Sequence, residues 1–169
     1  MKTNHTIFST SKRSNLLLII GIIFLSNVYA QNTTVIPSST SETKVKSPVW
    51  QVLLSNELID INYKYGECIV PSQGTHDEFV YLQIKNKTNK ELNIEWNTEY
   101  WYSGKCYGCE DGNTENHKTI HLIPNTTMEG ICAKDVNPAL VILSKMLNIE
   151  TNTELTNFNL RDIKTTIVK

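Results

Sequence analysis

Alternation of apolar and polar residues recurs through the middle of this chain. Leu58 to Tyr65 (LIDINYKY) places Ile59, Ile61, Tyr63 and Tyr65 on one face and Asp60, Asn62 and Lys64 on the other. A period of two is the signature of a half-buried β-strand. Gly66 is expected to break this strand, and residues 71–77 (PSQGTHD) read as a polar loop. Phe79 to Lys85 (FVYLQIK) alternates next, with Val80, Leu82 and Ile84 inward. Glu91 to Asn97 (ELNIEWN) repeats the pattern with Leu92, Ile94 and Trp96. Two alternating runs around the polar turn 86–90 predict a β-hairpin. Its register is specified, because a slip of one residue would expose Leu92, Ile94 and Trp96.

Weaker strands flank these. Val49 to Leu54 is one, His117 to Ile123 another with Ile120 and Leu122 inward, and Met128 to Ala133 a third. Residues 103–116 (SGKCYGCEDGNTEN) read as a long loop. Pro138 to Ile149 reads as a strand in keeping with its neighbours. A short helix is the alternative, since Pro138 suits a first helical turn and Leu140, Ser144 and Leu147 are spaced for it. Phe158 to Val168 is a last strand. Phe158 and Leu160 share a face but Ile163 changes phase, which predicts a bulge between them. Seven or eight short strands with frequent turns imply an all-β domain, a small β-sandwich of immunoglobulin- or fibronectin-like type or a small barrel, stabilised by disulfides.

The first thirty residues change the setting. Lys2, Lys12 and Arg13 precede the short apolar run Leu16 to Leu25, and Val28-Tyr29-Ala30 offers small residues where a signal peptidase reads. Residues 1–30 are therefore expected to be a signal peptide, too short in its apolar run to span a bilayer. Residues 31–47 are rich in Ser and Thr and read as a flexible or extended segment. The folded domain is expected over residues 48–169. Removing the leader leaves 139 of 169 residues, enough for one domain. It also turns a net charge of −1 into about −4. Arg161 is then the only arginine left, and no basic face is visible, so nucleic acid is excluded as a partner. Gln31 rather than Cys follows Ala30, and ALVIL at 139–143 is far too short to anchor. The protein is expected to be secreted or periplasmic, without a membrane anchor.

That compartment decides how the cysteines read. Cys68, Cys106, Cys109 and Cys132 are an even set in a secreted chain, and so a disulfide framework with three possible pairings. Joining Cys106 and Cys109 separately to Cys68 and Cys132 would close the larger loops and stabilise more. A local Cys106–Cys109 ring is the alternative. Cys106-x2-Cys109 followed by His117 and His121 has the flavour of a zinc site. The spacing is shorter than in a finger, however, and on a strand the two histidines would stand about 13 Å apart. No helical pattern follows the cysteines to favour redox catalysis. The loop carboxylates Glu110, Asp111 and Glu115 lack the order of a calcium loop. No metal and no cofactor is expected.

Aromatic side chains give the candidate site. Trp96, Tyr100, Trp101, Tyr102 and Tyr107 are close together in sequence. Trp96 fits the inner face of its strand. Trp101 and Tyr102 are adjacent and so point to opposite faces. Tyr100, Trp101, Tyr102 and Tyr107, beside the Cys106–Cys109 loop, form the expected binding corner, suited to sugars or peptides. No nucleophile elbow is present, and the histidines His76, His117 and His121 carry no catalytic spacing. Of the four Asn-x-Thr sequons, at Asn4, Asn32, Asn86 and Asn125, the last two fall in turns where glycosylation would be tolerated.

Leu82 to Cys109, followed by Ile120-x-Leu122-x-Pro124 and Gly130-x-Cys132, resembles a group of small secreted proteins of Bacteroidetes-type bacteria. The resemblance covers about half of the chain after the leader. It implies an origin and a one-domain β architecture, and no activity. The reading as a whole is a non-enzymatic extracytoplasmic module that binds an unknown protein or glycan through the aromatic corner. Two alternatives stand beside it: a structural or accessory subunit of a cell-envelope complex, and a small secreted protein that binds zinc or calcium.

Overall fold

The computed structural model describes the backbone of residues 33–36 and residues 44–110, 115–133, 137–150 and 153–168. The expected signal peptide at 1–30, with the sequons at Asn4 and Asn32, lies outside them. Ten strands are described: β1 Thr33–Ile36, β2 Gln51–Ser55, β3 Ile59–Val70, β4 Thr75–Asn86, β5 Leu92–Tyr102, β6 Lys105–Tyr107, β7 His117–Leu122, β8 Thr127–Glu129, β9 Val141–Met146 and β10 Leu155–Ile167. They form two antiparallel sheets. One runs β1-β10-β5, with β6 and β7 sharing the far side of β5. The other runs β2-β3-β4, with β8 and β9 sharing the far side of β4. The two sheets pack face to face as a sandwich.

The inner faces are those that alternation marks. Ile59, Ile61, Tyr63 and Tyr65 of β3, Val80, Leu82 and Ile84 of β4, and Leu92, Ile94 and Trp96 of β5 are all buried in one core. Ile120, Leu122, Ile142, Phe158, Leu160 and Ile163 complete it. Tyr63 meets Phe158 edge to face across the two sheets, with centroids 5.4 Å apart. Trp96 satisfies its indole N–H inside the core by donating to Thr98 Oγ1 at 3.1 Å. Residues 141–146 form a strand rather than a helix. The pairing of β10 with β5 shifts register between Arg161 and Lys164, where Asp162 has a φ of 56°. That bulge returns Ile163 to the core face, as its phase requires.

Three expectations need correction. First, β4 and β5 do not form a hairpin. β4 pairs with β3, β8 and β9, and β5 with β10, β6 and β7. Residues 87–91 cross from one sheet to the other, so the two apolar faces meet across the core instead of side by side. Second, Gly66 does not end β3, which runs on to Val70 and pairs with β4 along its length. A Cβ at residue 66 would sit 3.0 Å from Tyr81 Cε2, so the glycine makes room for that ring. The turn to β4 is a single 3-10 turn, Pro71–Gln73, closed by Gly74 at a φ of 67°. Third, the sequential order β2-β3-β4 within one sheet is not the ABED and CFG arrangement of an immunoglobulin domain. The tight turn after β3 keeps β4 in the same sheet, and the crossover comes one strand later. Thr33–Ile36, in the segment read as flexible or extended, is extended and pairs with β10 as an edge strand.

Asn86 fixes the crossover. Its side chain is buried, and its Nδ2 donates to the carbonyls of Lys90 at 2.7 Å and Ile123 at 3.0 Å. Its Oδ1 accepts from the Thr88 N–H at 2.9 Å and the Thr88 hydroxyl at 2.8 Å. A glycan on Asn86 is therefore incompatible with the folded state, contrary to the reading of that sequon as an open turn. Asn125 is exposed, in a turn at a φ of 57°.

Candidate functional site

The two ends of the sandwich differ. At one, the crossover and Asn86 close the space between the sheets. The other lies where β5 ends at Tyr102 and β10 begins at Leu155. There, alternation carries Tyr100 and Tyr102 along the inner face of β5, past the last core residue, Thr98. The Tyr102 hydroxyl donates to the Leu143 carbonyl on β9 at 2.6 Å and so ties the two sheets together. β5 then turns back through β6, which the long-loop reading of residues 103–116 missed. Tyr107 pairs with Tyr100, Cys106 with Trp101 and Lys105 with Tyr102. The rings of Tyr102 and Tyr107 meet edge to face at 6.0 Å, and Tyr100 lies 6.4 Å from Tyr102.

The cysteine pairing differs from the long-range expectation. Cys106 is joined to Cys109, a separation of 3 residues, and Cys68 to Cys132, a separation of 64. Reversal of the chain at β6 brings Cys106 and Cys109 together locally. Cys68 faces outward on β3, where the segment after β8 crosses over it. No free cysteine remains, so neither pair offers thiolates to a metal or to redox chemistry.

Tyr100, Tyr102, Tyr107, the Cys106–Cys109 ring and Leu143 line an open groove of about 670 Å³. Lys105, Glu110 and Glu115 supply charge to it. Tyr107 is the most open ring, 47% exposed, with the Lys105 ammonium 5.2 Å from its centroid. Burial pushes the Tyr102 hydroxyl up to about 12 and also raises that of Tyr100. Both remain protonated donors at neutral pH. Trp101 does not line the groove. It stands on the other face of β5, between Asn157 of β10 and Cys106 of β6. Of the four residues of the expected corner, three converge and one is turned away. Leu143 and the end of β9 were missed, because nothing local in the sequence ties residue 143 to residue 102.

The histidines are held elsewhere. His76 Nε2 lies 2.9 Å from Glu67 Oε2 on the surface. His117 and His121 project from the outer face of β7, against Asn97 and Asn93 of β5 at 3.2 Å and 2.9 Å. None of the three lines the groove. Among the described residues no three His, Cys, Asp or Glu side chains are grouped to hold a metal ion. Asp111, from the acidic loop, lies outside the described residues. Among them, too, no helix is long and apolar enough to cross a membrane. Set against protein-family models, curated proteins and solved structures, the chain matches none.

Proposed function

We propose that this chain is a non-enzymatic binding module that works in an oxidising, extracytoplasmic setting and takes a glycan in the groove at the open end of its sandwich. The observation that carries the reading is the convergence of Tyr100, Tyr102 and Tyr107 on a groove of about 670 Å³ stiffened by the Cys106–Cys109 ring. That volume is within the usual range of ligand sites. Tyrosine rings offer flat apolar faces to a sugar ring, and Glu110 and Glu115 can accept hydrogen bonds from its hydroxyls. Two bridged cysteine pairs suit a compartment where disulfides persist.

The test is binding of soluble hexasaccharides, followed by tyrosine and tryptophan fluorescence. Tyr107→Ala removes the most open ring and touches no core residue. It is expected to weaken binding about fivefold to tenfold, the worth of one aromatic contact. Absence of binding across the panel, or equal binding by the variant, sinks the reading.

One observation favours a second reading, an accessory subunit of an envelope complex. Val45, Val49 and Val52 are 67%, 65% and 71% exposed on and before β2, the edge strand of its sheet. A protein partner added along that edge would be lost with Val52→Lys and indifferent to Tyr107→Ala.

A further inference from the structure

The outer face of the β2-β3-β4 sheet holds a buried polar atom with nothing to bond. Tyr81 points away from the core, since Val80 and Leu82 take the inner face, yet it is only 5% exposed. Gly66 makes room for its ring, and Phe79 lies beside it with centroids 6.2 Å apart. Outside it runs the segment from Gly130 to Ala133, held down by the Cys68–Cys132 bridge. Under this strap the Tyr81 hydroxyl has no hydrogen-bond partner. Burying an unpaired hydroxyl is unfavourable, so the native arrangement calls for an explanation. Burial also raises its pKa, which keeps the hydroxyl protonated and available as a donor.

Beside Tyr81 is a half-enclosed pocket of about 160 Å³. Val70, Phe79, Ile131 and Val141 give it apolar walls, and half-buried Asp77 adds a carboxylate. A cavity of about this volume accepts one benzene ring. The walls disfavour a sugar, and the hydroxyl and carboxylate disfavour a plain hydrocarbon. A phenol answers both demands: its oxygen can accept from the Tyr81 hydroxyl, which is covered in the structure and has to turn toward the pocket, and its own hydrogen is available to Asp77.

We propose that the pocket under the Cys68–Cys132 strap is a second binding site, specific for one phenol-type ring, either a free phenolic compound or the side chain of a tyrosine. The site is independent of the tyrosine groove and stands or falls apart from it.

The test uses the intact oxidised protein labelled with nitrogen-15, titrated with p-cresol, toluene and N-acetyltyrosinamide. p-Cresol is expected to move the amide signals of Gly66, Cys68, Ile131 and Ala133, with an affinity in the millimolar range set by its size. Toluene, which can neither accept from Tyr81 nor donate to Asp77, should bind about threefold to tenfold more weakly, and Tyr81→Phe should bring p-cresol part of the way down to the level of toluene, the bond to Asp77 remaining. The same variant should not lose stability, because it removes an unpaired hydroxyl. Ala133→Phe fills the pocket from the half-exposed strap, far from the core, and should abolish binding. Binding of N-acetyltyrosinamide as well as p-cresol supports a polypeptide source, and binding of p-cresol alone supports a free phenol. Absence of shifts at the solubility limit of p-cresol overturns the proposal, as does unchanged binding by either variant.

Discussion

The two ends of the sandwich are held by different chemistry. At the crossover end, Asn86 is fully buried and uses both polar atoms of its amide, on Lys90, Ile123 and Thr88. At the groove end, Lys46 reaches Glu78 of β4 and Glu154 just ahead of β10, all partly exposed. Ser144 of β9 adds a hydrogen bond to Glu78 at 2.6 Å, and both disulfides lie on this side. The comparison separates two ways of keeping sheets together. A buried amide network stabilises the folded state directly, because each lost bond leaves a buried group unpaired. Exposed ion pairs contribute little, and the covalent bridges act largely on the unfolded chain. An end held in the second manner can stay open to solvent and to ligands, and that is where the groove lies.

The largest expected effect tests the covalent half of this contrast. Replacing Cys68 and Cys132 together by alanine frees a loop spanning a separation of 64 residues. Chain entropy puts the loss at about 4 kcal/mol, against about 2 kcal/mol for the Cys106–Cys109 ring. Because the change falls on the unfolded chain, the denaturant m-value should rise as well. Guanidinium unfolding of the two double variants checks both numbers. Equal losses, or an unchanged m-value for Cys68 and Cys132, would break the comparison.

Next in size is Asn86→Ala, which strips the crossover end of its buried amide. A loss of about 3 kcal/mol is expected, since Thr88 loses its acceptor and the part-buried carbonyls of Lys90 and Ile123 lose a donor. The m-value should not change, and this distinguishes it from the cysteine variants in the same experiment. Asn86→Asp keeps the acceptor for Thr88 but sets a buried carboxylate oxygen against the carbonyls of Lys90 and Ile123, so it should cost at least as much as alanine.

Much of this architecture is legible in the sequence, and what is hidden has a common cause. Alternation assigns faces: Ile59 to Tyr65, Val80 to Ile84 and Leu92 to Trp96 all point where their period places them. The phase change at Ile163 even locates a bulge. Alternation does not assign partners. A short polar turn between two such strands suits a hairpin and a crossover equally, and the deciding feature is the burial of Asn86, which in sequence is simply a turn residue. Gly66 reads as a breaker for a similar reason, because the ring that needs its missing side chain is fifteen positions away, at Tyr81. At the groove, the period of two separates Trp101 from Tyr100 and Tyr102, and reading the aromatics as one cluster obscures this. Leu143 and Glu154 reach the same end through long-range pairing alone, so no local pattern could have named them.

The smallest effect is absent at neutral pH and emerges only in alkali, and it belongs to the groove end. Tyr65 and Tyr102 both have hydroxyls pushed up to about 12 by burial, from an ordinary value of 10. Lys46 moves the same way: burial alone would lower it, but hydrogen bonds to Glu154 and Glu78 outweigh burial and raise it above 10.5. Between pH 10 and pH 12 the unfolded chain gives up these protons while the folded chain holds them. The unfolded state then binds fewer protons than the native state, so stability falls as pH rises through this window, and is fully present below it. Burial raises Tyr100 and Tyr81 as well, so Tyr102→Phe removes one of five such groups together with its bond to Leu143, and should reduce the alkaline slope while costing about 1 kcal/mol at neutral pH. Asn86→Ala, at the other end, should lower the whole curve and leave its alkaline slope intact. Urea unfolding across this window for both variants reads the difference. A slope untouched by Tyr102→Phe would mean that the Tyr102 hydroxyl takes no part in the alkaline sensitivity, and the contrast between the two ends would lose that support.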